Sequence, residues 1–143
     1  MEVSNFSNDE LRAETIHFKN KILNATSSLH NEIDKIKSEI EKETDINQKE
    51  SLFSKIDKIN QEIYQISESC LEEILPEAFA VVKETASRFV NNKNISVTAT
   101  DFDLKIAQTK DYVEIKKDLA VWKNNWDAAG KNIIWDMVHY DVQ

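Results

Sequence analysis

Two long, narrow apolar stripes constrain this chain more than any other feature. The first runs from Leu11 to Ile40 at steps of three and four residues, and the second runs in the same way from Leu52 to Ile74. Each helical turn then places about one apolar side chain on the same side, which is typical of a coiled-coil seam. A polar link, Glu43 to Asn47, separates the stripes, so the pattern predicts a long antiparallel helical hairpin. Self-association of the chain through the same helical stripe is the alternative.

The first helix has a clear start, and a further helix is expected after the hairpin. Ser7 and Glu10 have the spacing of a capping box, in which each side chain bonds the other residue's backbone N–H. Pro76 is the only proline, and proline is tolerated in the first turn of a helix because its missing N–H would be unpaired there. Apolar residues follow from Phe79 to Val90 at helical spacing. We therefore predict a buried core helix that begins at Pro76.

The remainder alternates in a way that favours short strands. A strand is expected at Ile95–Thr98, followed by a short helix that Thr100 caps and that reaches about Gln108. The pattern predicts a β-hairpin of residues 112–116 and 119–123, a turn at 124–127 and one more strand at 132–135. The fold class is thus α+β, mainly α: a helical hairpin, a core helix and a small antiparallel β region. The expected parts are a hairpin at 1–74, a core helix at 75–92, a β-rich insertion at 93–136 and the start of another domain at 137–143.

Composition limits the possible partners and compartments. The chain has 143 residues, a net charge of −8 and a single cysteine, Cys70. An acidic chain is a poor match for nucleic-acid phosphates or, by itself, for an anionic membrane surface. One cysteine cannot form an intramolecular disulfide and suits a reducing compartment. Without a signal peptide or an apolar run of about eighteen residues, a cytoplasmic location is expected.

No residue pattern points to catalysis. The chain contains one glycine, so it cannot form a glycine-rich phosphate loop, and its three histidines are scattered without metal-ligand spacing. Asp101 and Asp103 are the nearest approach to an acidic pair, and helix capping explains them better than acid–base catalysis. We expect neither catalytic residues nor a metal site.

Three stretches resemble one protein family. LPEAFAVVKETASRF, residues 75–89, resembles the LPEAFAVVREA segment of SecA, the ATP-driven motor of bacterial preprotein export. SNDELRAET, residues 7–15, is similar to that family's SDEELRAKT, and MVHYDVQ, residues 137–143, is similar to its MRHFDVQ. The matches lie in the family's order, and the segments between them resemble the variant with insertions around the PEAFA helix.

The resemblance implies a nucleotide-related role for the last residues. It places Met137 against the adenine base of ATP, Tyr140 where the family usually has phenylalanine, and Gln143 at the hydrogen-bonding edge of the base. Thioether, aromatic and amide groups suit a flat base with a polar edge. The family's phosphate loop and catalytic carboxylates are expected beyond Gln143. The chain is therefore expected to be an amino-terminal fragment that is inactive alone and does not bind ATP usefully.

The family also implies partners for the complete protein. These are the Sec channel, a preprotein and an anionic membrane, with the protein cytoplasmic and peripheral at the inner membrane. The alternative is a non-enzymatic adaptor, in which the helical hairpin binds a partner and the three stretches carry no motor function.

Overall fold

The computed structural model describes residues 2–140 and confirms an α+β fold that is mainly α. Two long helices, α1 (Asn8–Lys42) and α2 (Ile46–Asn91), precede the strands. The chain forms two compact units: one is Ile16–Pro76, and the other comprises the described parts of Met1–Thr15 and Glu77–Gln143. Both long helices contribute to both units. The division into four parts expected from the sequence stays a prediction.

The first unit, Ile16–Pro76, is the predicted helical hairpin. Ile33, Ile36 and Ile59 are buried at its centre, and apolar residues of both helices pack around them: Leu29, Ile40, Leu52, Ile56 and Ile63. All eight belong to the two apolar stripes, so the seam closes within one chain. Thr26 is also buried, and its hydroxyl donates to the Ile22 carbonyl at 3.1 Å. A polar residue is tolerated in the seam because its hydrogen bond is made locally.

Pro76 does not begin a helix, contrary to the sequence prediction. It lies inside α2, which continues without interruption to Asn91. Proline removes one backbone hydrogen bond from a helix interior but does not always end the helix. Here Ile74 is buried in the first unit and Val81 in the second, so packing holds the helix on each side of the proline.

The carboxyl-terminal part of α2 is less buried than predicted. Val81 and Ala86 are buried, but Phe79 and Val82 are 52% and 50% exposed. The buried side of the helix is therefore narrower than the apolar stripe in the sequence. An apolar stripe shows which side of a helix can be buried. It does not show that other residues of the unit pack against that whole side.

Two small antiparallel sheets complete the second unit, together with α3 (Asp101–Ala107). The first has the order β1 (Asn94–Thr98), β3 (Leu119–Lys123), β2 (Val113–Lys116), and it contains the predicted strand and the predicted hairpin. Val97, Val113 and Ala120 are its buried residues.

The second sheet corrects a turn prediction. Strand β4 (Asn125–Ala128) includes three residues of the expected turn, and it pairs with β5 (Lys131–Ile134), which overlaps the predicted last strand. The turn lies instead at Ala129 and Gly130, which have φ of 52° and 77°. Positive φ at both central residues is what a two-residue hairpin turn of type I′ needs, and the only glycine occupies one of the positions.

Candidate functional site

The segment after β5 carries the residues that the family resemblance implies for a nucleotide site. Residues 135–140 belong to no helix or strand. Met137 and Tyr140 are 53% and 75% exposed, whereas Val138 and His139 between them are half-buried. Gln143 lies outside the described residues. The segment thus presents the two described candidate residues outward and anchors itself through the residues between them.

An aromatic cluster supports the start of this segment. The backbone N–H of Trp135 donates to the Asn124 carbonyl at 2.7 Å, and the Trp135 ring lies 6.5 Å from that of Trp126. Asn124 is itself buried, and its side-chain amide donates to the Phe89 carbonyl at 3.0 Å, near the end of α2. The segment is therefore tied to α2 through one buried asparagine.

A cavity of about 540 Å³ lies beside this support within the second unit. Its walls are mostly apolar and aromatic, and include Val82, Phe89, Trp122, Trp135 and His139. Trp135 Nε1 and His139 Nδ1 are buried and have no hydrogen-bond partner among residues 2–140. An apolar cavity of this kind suits packing groups and is unsuited to a triphosphate.

A polar cluster fixes the beginning of α1 to the β region. Asp103 is fully buried and accepts two hydrogen bonds from the Arg12 guanidinium, at 2.8 and 2.9 Å. Trp122 Nε1 donates to the same carboxylate at 3.0 Å, and the Thr100 backbone N–H donates at 2.8 Å. The predicted capping role of Asp103 is confirmed, with Thr100 as the cap of α3. We call these four residues the Arg12–Asp103 clamp.

The clamp keeps Asp103 ionised. Burial alone would raise the pKa of its carboxyl, but the Arg12 guanidinium, together with the Thr100 and Trp122 donors, outweighs burial and lowers the pKa below its ordinary value. Paired charges that are hydrogen-bonded on several sides are the form in which buried charges are tolerated. The role of Asp103 is thus structural.

Other residues near the start of α1 reinforce the clamp. Asp9 accepts from the backbone N–H and the hydroxyl of Thr98, at 2.7 and 2.9 Å. Asn8 accepts from Arg88 of α2 at 2.8 Å, and the capping box of Ser7 and Glu10 is present as predicted. Hydrogen bonding to Ser7 lowers the pKa of Glu10. The SNDELRAET stretch therefore serves as an anchor, a role that sequence reasoning did not assign to it.

Residues 2–140 contain neither a metal-binding group nor a membrane-spanning helix. Histidine, cysteine and acidic side chains form no group there that could hold a metal ion. Within the same range, every helix is too short or too polar to cross a membrane.

Comparison with known proteins gives matches along nearly the whole chain. It is 52% identical over 141 residues to the protein translocase subunit SecA of Flavobacterium psychrophilum, which covers 99% of this chain and 13% of that protein. It is 50% identical over 135 residues to SecA of Christiangramia forsetii, covering 94% of this chain and 12% of the relative. It is 48% identical over 142 residues to SecA of Bacteroides fragilis, which covers 99% of this chain and 13% of that protein.

The chain spans about one eighth of the length of these relatives. No protein-family model and no solved structure matches it. The similarity extends through the hairpin and the β region as well as the three stretches singled out in the sequence.

Proposed function

We propose that this chain, which belongs to the SecA family along the segment that it matches, works as part of an ATP-driven protein translocase and forms one wall of its adenine site. The observation that carries the proposal is the identity of 48–52% to SecA translocase subunits across 94–99% of the chain. An adaptor that shared only three short stretches with SecA would not show similarity over the intervening hairpin and sheet.

The geometry of the carboxyl-terminal segment supports the adenine wall. Met137 and Tyr140 are more than half exposed and so are available to a flat base, while Val138 and His139 are partly buried. Met137 would pack on the base, Tyr140 would pack beside it, and Gln143 would bond its polar edge. When bound, ATP supplies the energy of phosphoryl transfer. The residues of this chain would contact only the adenine base and not the phosphates.

The chain by itself would bind ATP poorly. Affinity for a triphosphate depends mainly on backbone N–H groups and a lysine around the β and γ phosphates. The sequence has one glycine and no glycine-rich phosphate loop, so the triphosphate would find no such cradle in it. Turnover would require the rest of a SecA-type polypeptide. The partners proposed for such a polypeptide are the Sec channel, a preprotein and an anionic inner membrane, at its cytoplasmic face.

A chimera tests the proposal. This chain would replace the matching segment in the SecA of Flavobacterium psychrophilum, and ATP hydrolysis and ATP-driven transport of a preprotein into membrane vesicles would be measured. We expect the chimera to retain both activities. The control is the same relative with its matching segment deleted, which should lose both.

A chimera that folds, as shown by its thermal unfolding, yet lacks both activities would contradict the translocase proposal. Retained activity in the deleted control would contradict it as well, because the segment would then be dispensable.

A further inference from the structure

One buried asparagine joins three parts of the unit that holds the sheets. Asn124 lies between β3 and β4 and is 7% exposed. Its backbone N–H donates to the Lys93 carbonyl at 2.9 Å, and its own carbonyl accepts from the Trp135 backbone N–H at 2.7 Å. Its side-chain amide donates to the Phe89 carbonyl at 3.0 Å. Asn124 therefore connects the end of α2, the residue before β1 and the start of the segment 135–140.

The side chain of Asn124 suits this position because an amide both donates and accepts hydrogen bonds. Phe89 is one of the last four residues of α2, whose carbonyls have no partner within the helix. The Asn124 amide N–H supplies a partner to one of them, and Asn124 Oδ1 accepts from the side-chain amide of Asn125 at 3.3 Å. Alanine would remove both bonds, and aspartate would remove the donor. The side chain thus fixes residue 124 against the end of a long helix.

The position of the segment 135–140 depends on this fixed point. The segment belongs to no helix or strand, so contacts of individual residues determine its course. Trp135 is its first residue and is held by the Asn124 carbonyl and by the ring of Trp126, 6.5 Å away. Met137 follows two residues later, and two residues span at most about 7 Å. Where Trp135 is fixed, the possible positions of Met137 are therefore few.

We propose, on the basis of the proposed function, that Asn124 is a positioning residue for the adenine base. It does not touch the base, but it holds Met137 and the residues after it at the place where they would contact the base. A misplacement of about 1 Å is enough to weaken a contact of this kind severely. The phosphates would be bound outside this chain, so loss of the Asn124 side chain should weaken base recognition and leave phosphate binding unchanged.

Hydrogen exchange in the 143-residue chain tests the first step without any nucleotide. Asn124→Ala should speed the exchange of the Trp135 backbone N–H, measured by NMR, by about tenfold or more, because its acceptor is no longer held in place. Asn132→Ala is the matched control. It removes a hydrogen bond of similar length, 2.9 Å to Asp127 within the β4–β5 sheet, and should change the exchange of Trp135 by less than about threefold.

Competition binding of ATP and GTP to the chimera that carries this chain tests the second step. Asn124→Ala should weaken ATP binding by about tenfold and GTP binding by less than about threefold, and Asn132→Ala should alter neither. A residue with a general structural role would weaken both nucleotides equally. Because Asn124 and Gln143 would act on the same base, Asn124→Ala combined with Gln143→Ala should weaken ATP binding by less than the product of the two single effects.

The outcomes separate this positioning role from the proposed function. Unchanged exchange of the Trp135 N–H in Asn124→Ala, or equal weakening of ATP and GTP binding, would overturn the positioning role alone. An unsubstituted chimera that does not prefer ATP to GTP would overturn the adenine wall together with it. Asn124→Asp keeps the size of the side chain, removes its donor and gives the same expected results, and it is the second variant if Asn124→Ala does not fold.

Discussion

The hairpin unit and the unit that holds the sheets are stabilised in different ways. The hairpin repeats one device, an apolar residue every three or four positions, and its centre is Ile33, Ile36 and Ile59. The other unit depends on individual polar contacts between residues far apart in sequence, with Arg12 and Asp103 as the central pair. A repeated seam spreads stability over many similar contacts, whereas a clamp concentrates it in a few.

The largest expected effect is in the hairpin. Ile33→Asp places an unpaired charge in the seam and should cost about 4 kcal/mol of unfolding free energy. All three tryptophans lie outside the hairpin unit. Far-ultraviolet circular dichroism should therefore show a larger loss of stability than tryptophan fluorescence does.

Ile46→Asp is the control, because Ile46 is 80% exposed, and it should change stability by no more than about 0.5 kcal/mol at low micromolar protein. If Ile33→Asp unfolds at the same denaturant concentration as the unsubstituted chain, the seam does not stabilise the hairpin.

The clamp should give the next largest effect. Asp103→Ala leaves the Arg12 guanidinium without its carboxylate and should cost about 3 kcal/mol, near the lower end for a broken buried pair because Arg12 is 33% exposed. Denaturant unfolding followed by tryptophan fluorescence measures this loss directly, since Trp122 belongs to the clamp.

Asp101→Ala removes a neighbouring carboxylate that is exposed in the first turn of α3, and should cost less than about 1 kcal/mol. Similar losses in the two variants would show that capping charge, and not the buried pair, matters at this position.

Much of this contrast was predictable from the sequence. Features that depend on residues close in sequence could be predicted, and features that join distant residues could not. The seam, the capping boxes and the β2–β3 hairpin depend on residues close in sequence, and their patterns are local. The clamp joins residues 91 positions apart, so no local sequence pattern predicts it. The sequence pattern indicates no role for Arg12.

The errors have the same origin. Pro76 favours a helix start by local propensity, and packing on both sides overrides that preference. The expected turn at 124–127 contains turn-forming residues, yet the turn lies at Ala129 and Gly130, where glycine allows backbone with positive φ. Of the proposed adenine wall, Met137 and Tyr140 could be placed on the outer side of their segment only from the structure.

A smaller expected effect is the pH dependence of the stability of the unit that contains Asp103. The pKa of Asp103 is lower in the folded than in the unfolded chain, so the unfolded state binds more protons near pH 4. The stability that this group contributes is present above its ordinary pKa of 3.8 and is lost as pH falls through the lower folded value.

Tryptophan-monitored stability should therefore decrease between pH 5 and about pH 3, and the decrease should be shallower in Asp103→Asn, which has no carboxyl to protonate. An identical pH dependence in the two proteins would remove Asp103 as its source.

The central claim is that this chain forms one wall of an adenine site. Its most direct test is the nucleotide preference of the chimera that carries this chain. Gln143→Ala should weaken ATP binding and reduce the preference for ATP over GTP by about 1–3 kcal/mol, because the polar edge of adenine loses its partner. Gln108→Ala, at an exposed glutamine that follows α3, should leave both quantities unchanged. Competition binding of ATP and GTP to the two variants gives the answer. A Gln143→Ala chimera with unaltered affinity and preference would contradict the assignment of an adenine wall to this chain.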